Sequence, residues 1–178
     1  FSDEATLRHI LRFEAALAQA AARAGPIPKK HAATIAASCD ATLYDPAALV
    51  PVARRSMTLT VPVVKALTAE VRRRDEEAAA WVHWGATSQD AIDTALMLQM
   101  REGLDLLLTD LRRVATECAR LAEAHRLTVM PGRTLLQQAT PITFGLKAAR
   151  GLALVVRQVR ALEERRASGL ALQFALVA

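Results

Sequence analysis

The sequence predicts an all-α protein, and three features of its composition support this. Apolar residues make up 52% of the 178 residues but aromatic residues only 4%, so alanine, leucine and valine supply most of the apolar content. Glycine and proline are sparse, at seven each, and the apolar residues recur at helical spacing. A β-sandwich would need more aromatic and β-branched residues with regular turn signals. A charged fraction of 23% and a net charge of +5 exclude a disordered chain.

Residues 1–84 are predicted to form an N-terminal helical domain with proline-containing turns. A first helix is expected over 3–24, with Ser2 as its N-cap and Gly25 at its stop. Its apolar face is interrupted by Glu14. Two further helices are predicted over 29–39 and 63–82. Between them a short helix is predicted after Asp45-Pro46, with Asp45 as the cap and Pro46 at the first helical position.

Residues 85–178 are predicted to be the first part of a central helix bundle. Between 88 and 125 there is no proline, and apolar residues alternate at spacings of four and three, which is typical of a long helix packed against near-parallel neighbours. About 37 residues would make a rod of about 55 Å, which needs partners to be stable, so we expect self-association. The apolar seam consists of Met100, Leu104, Leu107, Leu111, Val114, Cys118 and Leu121.

After the long helix, a polar loop is predicted over 126–140, followed by a helix that opens at Thr140-Pro141. Residues 170–178 lack helical alternation. Because the chain begins without Met and stops inside an apolar stretch, we expect it to be a portion of a longer protein.

The distribution of charged residues, apolar runs and cysteines argues against several classes of protein. The basic residues are mixed with acids and not interleaved with aromatics, which argues against nucleic acid. The longest apolar run, 169–178, is too short for a membrane span, and the acidic start does not fit a signal peptide. Cys39 and Cys118 lack metal-ligand spacing, so we expect no metal and two buried, reduced thiols in a cytoplasmic protein. An anionic small molecule remains open as a ligand.

Two polar junctions flank the long helix. In residues 81–90 (WVHWGATSQD), Thr87 and Asp90 have capping-box spacing, which predicts that the helix begins at Ser88. The same hydroxyls and free amides would also suit a carboxylate. His83 would then be a donor or an acid/base group; the alternative is a buried structural histidine.

The second junction covers residues 131–145 (PGRTLLQQATPITFG). Thr134 and Gln137 have the spacing of another capping box, with Arg133 as an ordinary salt-bridge partner. Alternatively, these groups hold an oxygen-rich ligand.

Both junctions resemble signature regions of the fumarase/aspartase/adenylosuccinate lyase superfamily. The first match is 83–90 followed by 93–95; the second is 132–134 with 137, 139, 141 and 143–145. The resemblance extends from about residue 2 to 166 and is strongest to the bacterial 3-carboxy-cis,cis-muconate cycloisomerases. Leu135 stands where the superfamily's lyases and fumarases typically have a histidine, which the cycloisomerases also lack.

The resemblance implies an all-α homotetramer with shared active sites and no cofactor. It implies addition of a carboxylate of a small tricarboxylate substrate across a double bond, giving a lactone through an aci-carboxylate intermediate. By position, His83 and Ser88 are the candidate catalytic residues, and Thr87, Ser88, Thr134 and Gln137 the candidate substrate-binding residues. His125 matches a family histidine and is interpreted as structural.

Departures from the pattern keep other functions open. The third signature, a serine-rich loop that supplies the general base, is absent from these residues, and 52–60 and 174–178 differ from the usual glycine-containing stretches. We therefore expect this chain to be inactive by itself. The alternatives are a fumarate-releasing lyase such as adenylosuccinate lyase, which Leu135 disfavours, and a non-catalytic helical assembly module.

Overall fold

The computed structural model describes residues 1–172 and 174, and the predicted all-α class is confirmed. Within these residues, two 3₁₀ turns, at Ala41–Leu43 and Ala78–Trp81, and one antiparallel β-hairpin accompany the α-helices. No described helix is long and apolar enough to cross a membrane. The elements are α1 Asp3–Ala24, α2 Lys29–Ser38, α3 Pro46–Ser56, α4 Thr60–Arg74, α5 Ser88–Ala124, β1 Val129–Thr134, β2 Gln137–Thr143 and α6 Phe144–Ser168.

The chain forms two compact units. The N-terminal unit comprises Phe1–Met100 with the described residues after Leu170, and the C-terminal unit comprises Arg101–Leu170. The domain boundary after residue 84 stays a prediction. Leu170, Ala171, Leu172 and Phe174 belong to no helix, whereas 173 and 175–178 of the predicted non-helical tail lie outside the described residues.

The predicted first helix is confirmed together with both of its ends. The Ser2 hydroxyl accepts the amide N–H of Ala5, and Gly25 adopts a φ of 110°, the left-handed conformation that ends helices. The apolar face of α1 joins α2, α4 and the first turns of α5 in one core. Each fully buried aliphatic side chain there contributes about 1.5–3 kcal/mol. The largest of these side chains are Leu7, Ile10, Leu11, Ile27, Ile35, Val63, Leu67 and Val71.

The predicted helix over 63–82 is wrong at both ends, because α4 begins at Thr60 and stops at Arg74. Asp75 has extended backbone, and its Oδ1 accepts the amide N–H groups of Glu77 and Ala78, at 3.1 and 3.2 Å. Its other oxygen lies 2.9 Å from Nδ1 of His31. These local bonds compete with helix propagation, and apolar periodicity does not reveal them.

The pH dependence of stability tests this role of Asp75. Burial works to raise the pKa of its carboxyl, but hydrogen bonds from His31 and Ala78 and the charge of Lys30 hold the pKa below its usual 3.8. A lowered folded-state pKa stabilises the fold above the unfolded pKa, and this contribution is lost as pH falls through the folded value. In urea titrations from pH 6 to pH 2, we expect Asp75→Asn to flatten the acid decline of the free energy of unfolding.

Asp110→Asn is the control for that titration. Asp110 is exposed and lies 3.7 Å from Arg113, an arrangement that contributes little to stability. If the free energy of unfolding of Asp75→Asn fell with acid as steeply as that of the wild type and of Asp110→Asn, the stabilising role assigned to the Asp75 carboxylate would be contradicted.

The long helix is confirmed: α5 has 37 residues. In the C-terminal unit it is linked to α6 by an Arg112–Glu163 ion pair at 2.6 Å and by a pair between Arg166 and Asp105. Among the described residues of this unit, Leu108 is the single fully buried hydrophobic side chain. Leu107 and Val114 of the predicted seam are each 46% exposed. The seam is therefore only partly covered in the single chain, and self-association stays a prediction.

The loop predicted over 126–140 is a β-hairpin instead, and α6 begins at Phe144 rather than after Thr140. The strands pair from Val129 with Thr143 to Thr134 with Gln137. The two turn residues are Leu135 and Leu136, with φ of 30° and 65°, where hairpin turns usually have Gly, Asn or Asp. The usual turn signal is therefore missing from the sequence.

Gly145 allows a close backbone approach in the C-terminal unit. A Cβ there would lie 2.6 Å from the carbonyl oxygen of Ala122 and 2.7 Å from that of His125. Because backbone cannot move aside easily, we expect Gly145→Ala to lower the free energy of unfolding by about 1–3 kcal/mol.

Gly151→Ala, also in α6, is the matched control for this substitution. Among the described residues, the atom that a Cβ there would contact is Sγ of Cys118, at an ordinary 3.8 Å, so we expect stabilisation by about 0.5–1 kcal/mol. Chemical denaturation of both variants checks the pair, and equal effects would contradict the assigned crowding.

Candidate functional site

The first polar junction is a sharp turn between the 3₁₀ turn Ala78–Trp81 and α5. His83 and Gly85 both have positive φ, at 58° and 73°, and the rings of Trp81 and Trp84 lie 6.2 Å apart, tilted by 55°. A positive φ is uncommon for a residue other than glycine and marks backbone held by its surroundings. The turn therefore places His83 in a fixed position just before the helix.

The predicted start of α5 at Ser88 is confirmed, with Asp90 completing the capping interaction. The backbone N–H of Thr87 donates to Oδ2 of Asp90 at 2.9 Å, and the Asp90 side chain is fully buried. From α4, the buried hydroxyl of Thr60 donates to the carbonyl oxygen of Ser88 at 3.2 Å. Two independent bonds thus fix the first turn of α5.

Thr87 and Ser88 are only partly buried, so their hydroxyls are accessible at the positive end of the α5 dipole. The first amides of a helix lack partners within the helix, and together with the dipole they favour an anion. The arrangement is chemically suited to a carboxylate, while the roles of Thr87 and Ser88 stay predictions.

His83 has a partner that sequence reasoning missed. Its Nδ1 lies 2.6 Å from Oε1 of Glu14 on α1, the residue that interrupts the apolar face of that helix. The Glu14 side chain is 0% exposed and that of His83 is 17% exposed. The one signal in the sequence was a carboxylate on a buried face, because such a group requires a buried donor.

The second junction places Thr134 and Gln137 together but as an exposed cross-strand pair beside the hairpin turn. The capping-box alternative for them is therefore wrong, because no helix begins there. Arg133 is also exposed. A role for Thr134 and Gln137 in substrate binding stays a prediction.

His125 makes the contacts of a structural residue at the end of α5. Its ring and that of Phe144 are nearly perpendicular, with centroids 5.0 Å apart, and its Nδ1 lies 3.3 Å from Oγ1 of Thr128. Its carbonyl oxygen accepts the amide N–H groups of Thr128 and Gly145. These bonds join the end of α5 to the start of α6.

One group in the described part of the chain has metal-ligand character, namely His31, Asp75 and Glu77. Both Asp75 oxygens are already engaged, by His31 and by the amides of Glu77 and Ala78. The Glu77 side chain is 81% exposed and lies 3.6 Å from His31. We interpret the group as a structural ion-pair cluster.

The two cysteines are free, and both residues are partly exposed. The prediction that both thiols are buried is therefore wrong. Burial, and then the negative charge of Glu14, raise the pKa of the Cys39 thiol to about 12. A thiol with such a pKa stays protonated near neutral pH and is a poor nucleophile.

Comparison with known proteins places the chain in a family. A lyase family model matches residues 1–175. The chain belongs to the lyase family. This confirms the resemblance seen in the two signature segments.

The relatives include cycloisomerases and lyases. The chain is 51% identical over 172 residues to a 3-carboxy-cis,cis-muconate cycloisomerase from Bradyrhizobium diazoefficiens, covering 97% of this chain and 38% of that protein. It is 45% identical over 159 residues to a nitrosuccinate lyase from Streptomyces davaonensis, covering 89% of this chain and 34% of that protein.

Among solved structures, the 3-carboxy-cis,cis-muconate lactonizing enzyme from Pseudomonas putida matches with a TM-score of 0.96 and 44% identity. The match covers 99% of this chain and 40% of that one. The chain thus spans about two fifths of the length of these cycloisomerase relatives.

Removal of the Asp90 carboxylate tests the cap of α5. We expect Asp90→Ala to lower the free energy of unfolding by about 1–2 kcal/mol, because the Thr87 amide loses its acceptor. Asp93→Ala is the control one turn later, since its carboxylate accepts an exposed hydrogen bond from Gln89. Thermal and urea unfolding would give both values, and losses of equal size would contradict a specific capping role.

Proposed function

We propose that this chain is part of a cycloisomerase that converts 3-carboxy-cis,cis-muconate to 4-carboxymuconolactone. The reaction belongs to protocatechuate degradation in the β-ketoadipate pathway. The observation that carries the proposal is 51% identity to such an enzyme over 97% of this chain. The accessible, anion-favouring start of α5 supplies the chemical support.

Charge development in this reaction suits the start of α5. An oxygen of one substrate carboxylate forms a bond to an alkene carbon, and the π electrons move onto an adjacent carboxylate. The resulting aci-carboxylate carries two negative charges until a proton reaches the neighbouring carbon. Donors aimed at such charge stabilise the transition state, and we assign this role to Thr87, Ser88 and the first amides of α5.

The remaining candidate residues have distinct roles in the proposal. His83 lies beside the substrate as a polar acid/base group, while Thr134 and Gln137 contact the substrate from the hairpin. The reaction isomerises one molecule without redox change, so the chemistry calls for no cofactor. The basic charge of the chain, +5, favours attraction of a tricarboxylate.

We propose a homotetramer with active sites shared between subunits, located in the cytoplasm. The partly exposed seam of the C-terminal unit supports assembly, because Leu107 and Val114 are each 46% exposed in the single chain. The exposed position of Thr134 and Gln137 also favours a site that a neighbouring subunit completes. The free thiols of Cys39 and Cys118 favour a reducing compartment.

A second candidate is a lyase that eliminates a group from a succinate derivative, favoured by the 45% identity to nitrosuccinate lyase. Leu135 argues against the branch that places a histidine there. Its side chain is 89% exposed and offers no proton.

The ultraviolet absorbance of the substrate diene tests the proposed reaction. We expect the native gene product that carries this chain to bleach the diene band of 3-carboxymuconate. We expect Ser88→Ala to reduce kcat by about 100-fold or more, as loss of one donor to a developing oxyanion does. Ser168→Ala is the matched control, because its hydroxyl is exposed and donates to the carbonyl oxygen of Glu164 within the same helix.

Unchanged absorbance with the wild-type protein would contradict the cycloisomerase proposal. The lyase and the non-catalytic assembly module would then be the remaining candidates. Turnover that Ser88→Ala leaves intact would contradict the role of Ser88 alone. Thr87→Val tests whether Thr87 caps the helix or binds substrate. If the side chain is purely structural, the substitution would change the free energy of unfolding by about 1 kcal/mol without changing kcat.

A further inference from the structure

The proposed mechanism uses His83 but not the carboxylate behind it. We infer that Glu14 is a positioning residue that orients the His83 ring and fixes its tautomer. The inference rests on the proposed function, since it concerns how His83 serves the same site.

The contact is short and joins distant parts of the chain. His83 Nδ1 and Glu14 Oε1 are 2.6 Å apart, a distance typical of strong charge-assisted hydrogen bonds. The two residues lie on different elements, α1 and the turn before α5, both in the N-terminal unit.

Burial divides the roles of the two groups. The Glu14 side chain is 0% exposed, whereas the His83 side chain is 17% exposed. A ligand arriving from solvent can therefore reach the imidazole but not the carboxylate. Glu14 can act on such a ligand only through His83.

The hydrogen bond fixes which ring nitrogen carries the proton. A carboxylate offers acceptors only, so Nδ1 of His83 must donate to Oε1. In the neutral ring, Nε2 then has the free lone pair, and in the charged ring Nε2–H is the donor that faces away from Glu14. A buried carboxylate on Nδ1 therefore holds both the orientation and the tautomer of the ring.

Packing alone does not account for a carboxylate at this position. Glu14 lies on the apolar face of α1 with Leu7, Ile10 and Leu11, where a hydrophobic side chain would avoid the cost of desolvation. Its second oxygen, Oε2, is buried with no hydrogen-bond partner in the described part of the chain. The single hydrogen bond that Glu14 makes there is to His83.

The backbone conformation of His83 is consistent with a fixed orientation of its imidazole ring. Its φ of 58° lies in the left-handed region, a conformation that persists where surrounding contacts impose it. The Glu14 hydrogen bond is one such contact, and the following Gly85 at 73° allows the chain to turn into α5.

The test compares Glu14→Met, which removes the acceptor at similar length, with Glu14→Gln, which keeps an acceptor but removes the charge. Both are made in the native gene product. Glu70→Gln is the matched control, because Glu70 is also a largely buried glutamate but pairs with Arg73 and Arg74. The readouts are kcat and KM for 3-carboxymuconate, the melting temperature, and the ring ¹⁵N shifts of His83, assigned with His83→Asn.

We expect Glu14→Met to lower kcat by at least about tenfold, with KM changed less than threefold. The kcat of Glu14→Gln should lie between that of Glu14→Met and that of the wild type. In the His83→Asn background, Glu14→Met should have no further effect on kcat, because the two residues act as one unit. The neutral ring should be protonated on Nδ1 in wild type and shift toward Nε2 in Glu14→Met.

Two results would overturn the inference. One is a kcat unchanged by Glu14→Met while only the melting temperature falls; the other is a ¹⁵N pattern of His83 identical in wild type and Glu14→Met. The ¹⁵N measurement needs no turnover. A wild-type protein inactive on 3-carboxymuconate would therefore sink the proposed function, while the tautomer shift still decides the role of Glu14.

Discussion

The candidate site depends on burial of the first two turns of α5 in the core of the N-terminal unit. Ala91 and Ala95 are at most 1% exposed, so that face of the helix cannot turn or slide without opening the core. The Thr60–Ser88 and Thr87–Asp90 bonds then fix the end of the helix. An anion site made of helix amides and hydroxyls needs such a fixed end, because donors that must reorganise stabilise charge poorly.

Local signals allowed much of this fold to be predicted from the sequence. Ser2, Asp45 and the Thr87–Asp90 pair each mark a helix start through a cap that acts within three residues. The seam of α5 was visible because its spacing repeats over many turns. The hairpin was missed because its turn residues, Leu135 and Leu136, are not residues that favour a positive φ.

The candidate site could be predicted in part for the same reason. Thr87 and Ser88 follow from the cap and from the family resemblance, both carried by contiguous residues. Glu14 was visible only as an interruption of an apolar face, and its partner lies 69 residues away. Periodicity gives the face on which a residue lies but not its tertiary partner, so the pair required the fold.

The C-terminal unit has little hydrophobic burial of its own. A protein stabilised by apolar burial gains about 25 cal/mol for each Å² removed from water, yet Leu108 is the one fully buried hydrophobic side chain among this unit's described residues. Its leucines and valines are arranged at the spacing of a helix bundle, so cover by further helices would supply the missing stability. The same cover would enclose the exposed Thr134 and Gln137 hairpin residues, which water otherwise solvates. In the proposed enzyme, helices that cover the seam would therefore also help to complete the substrate site.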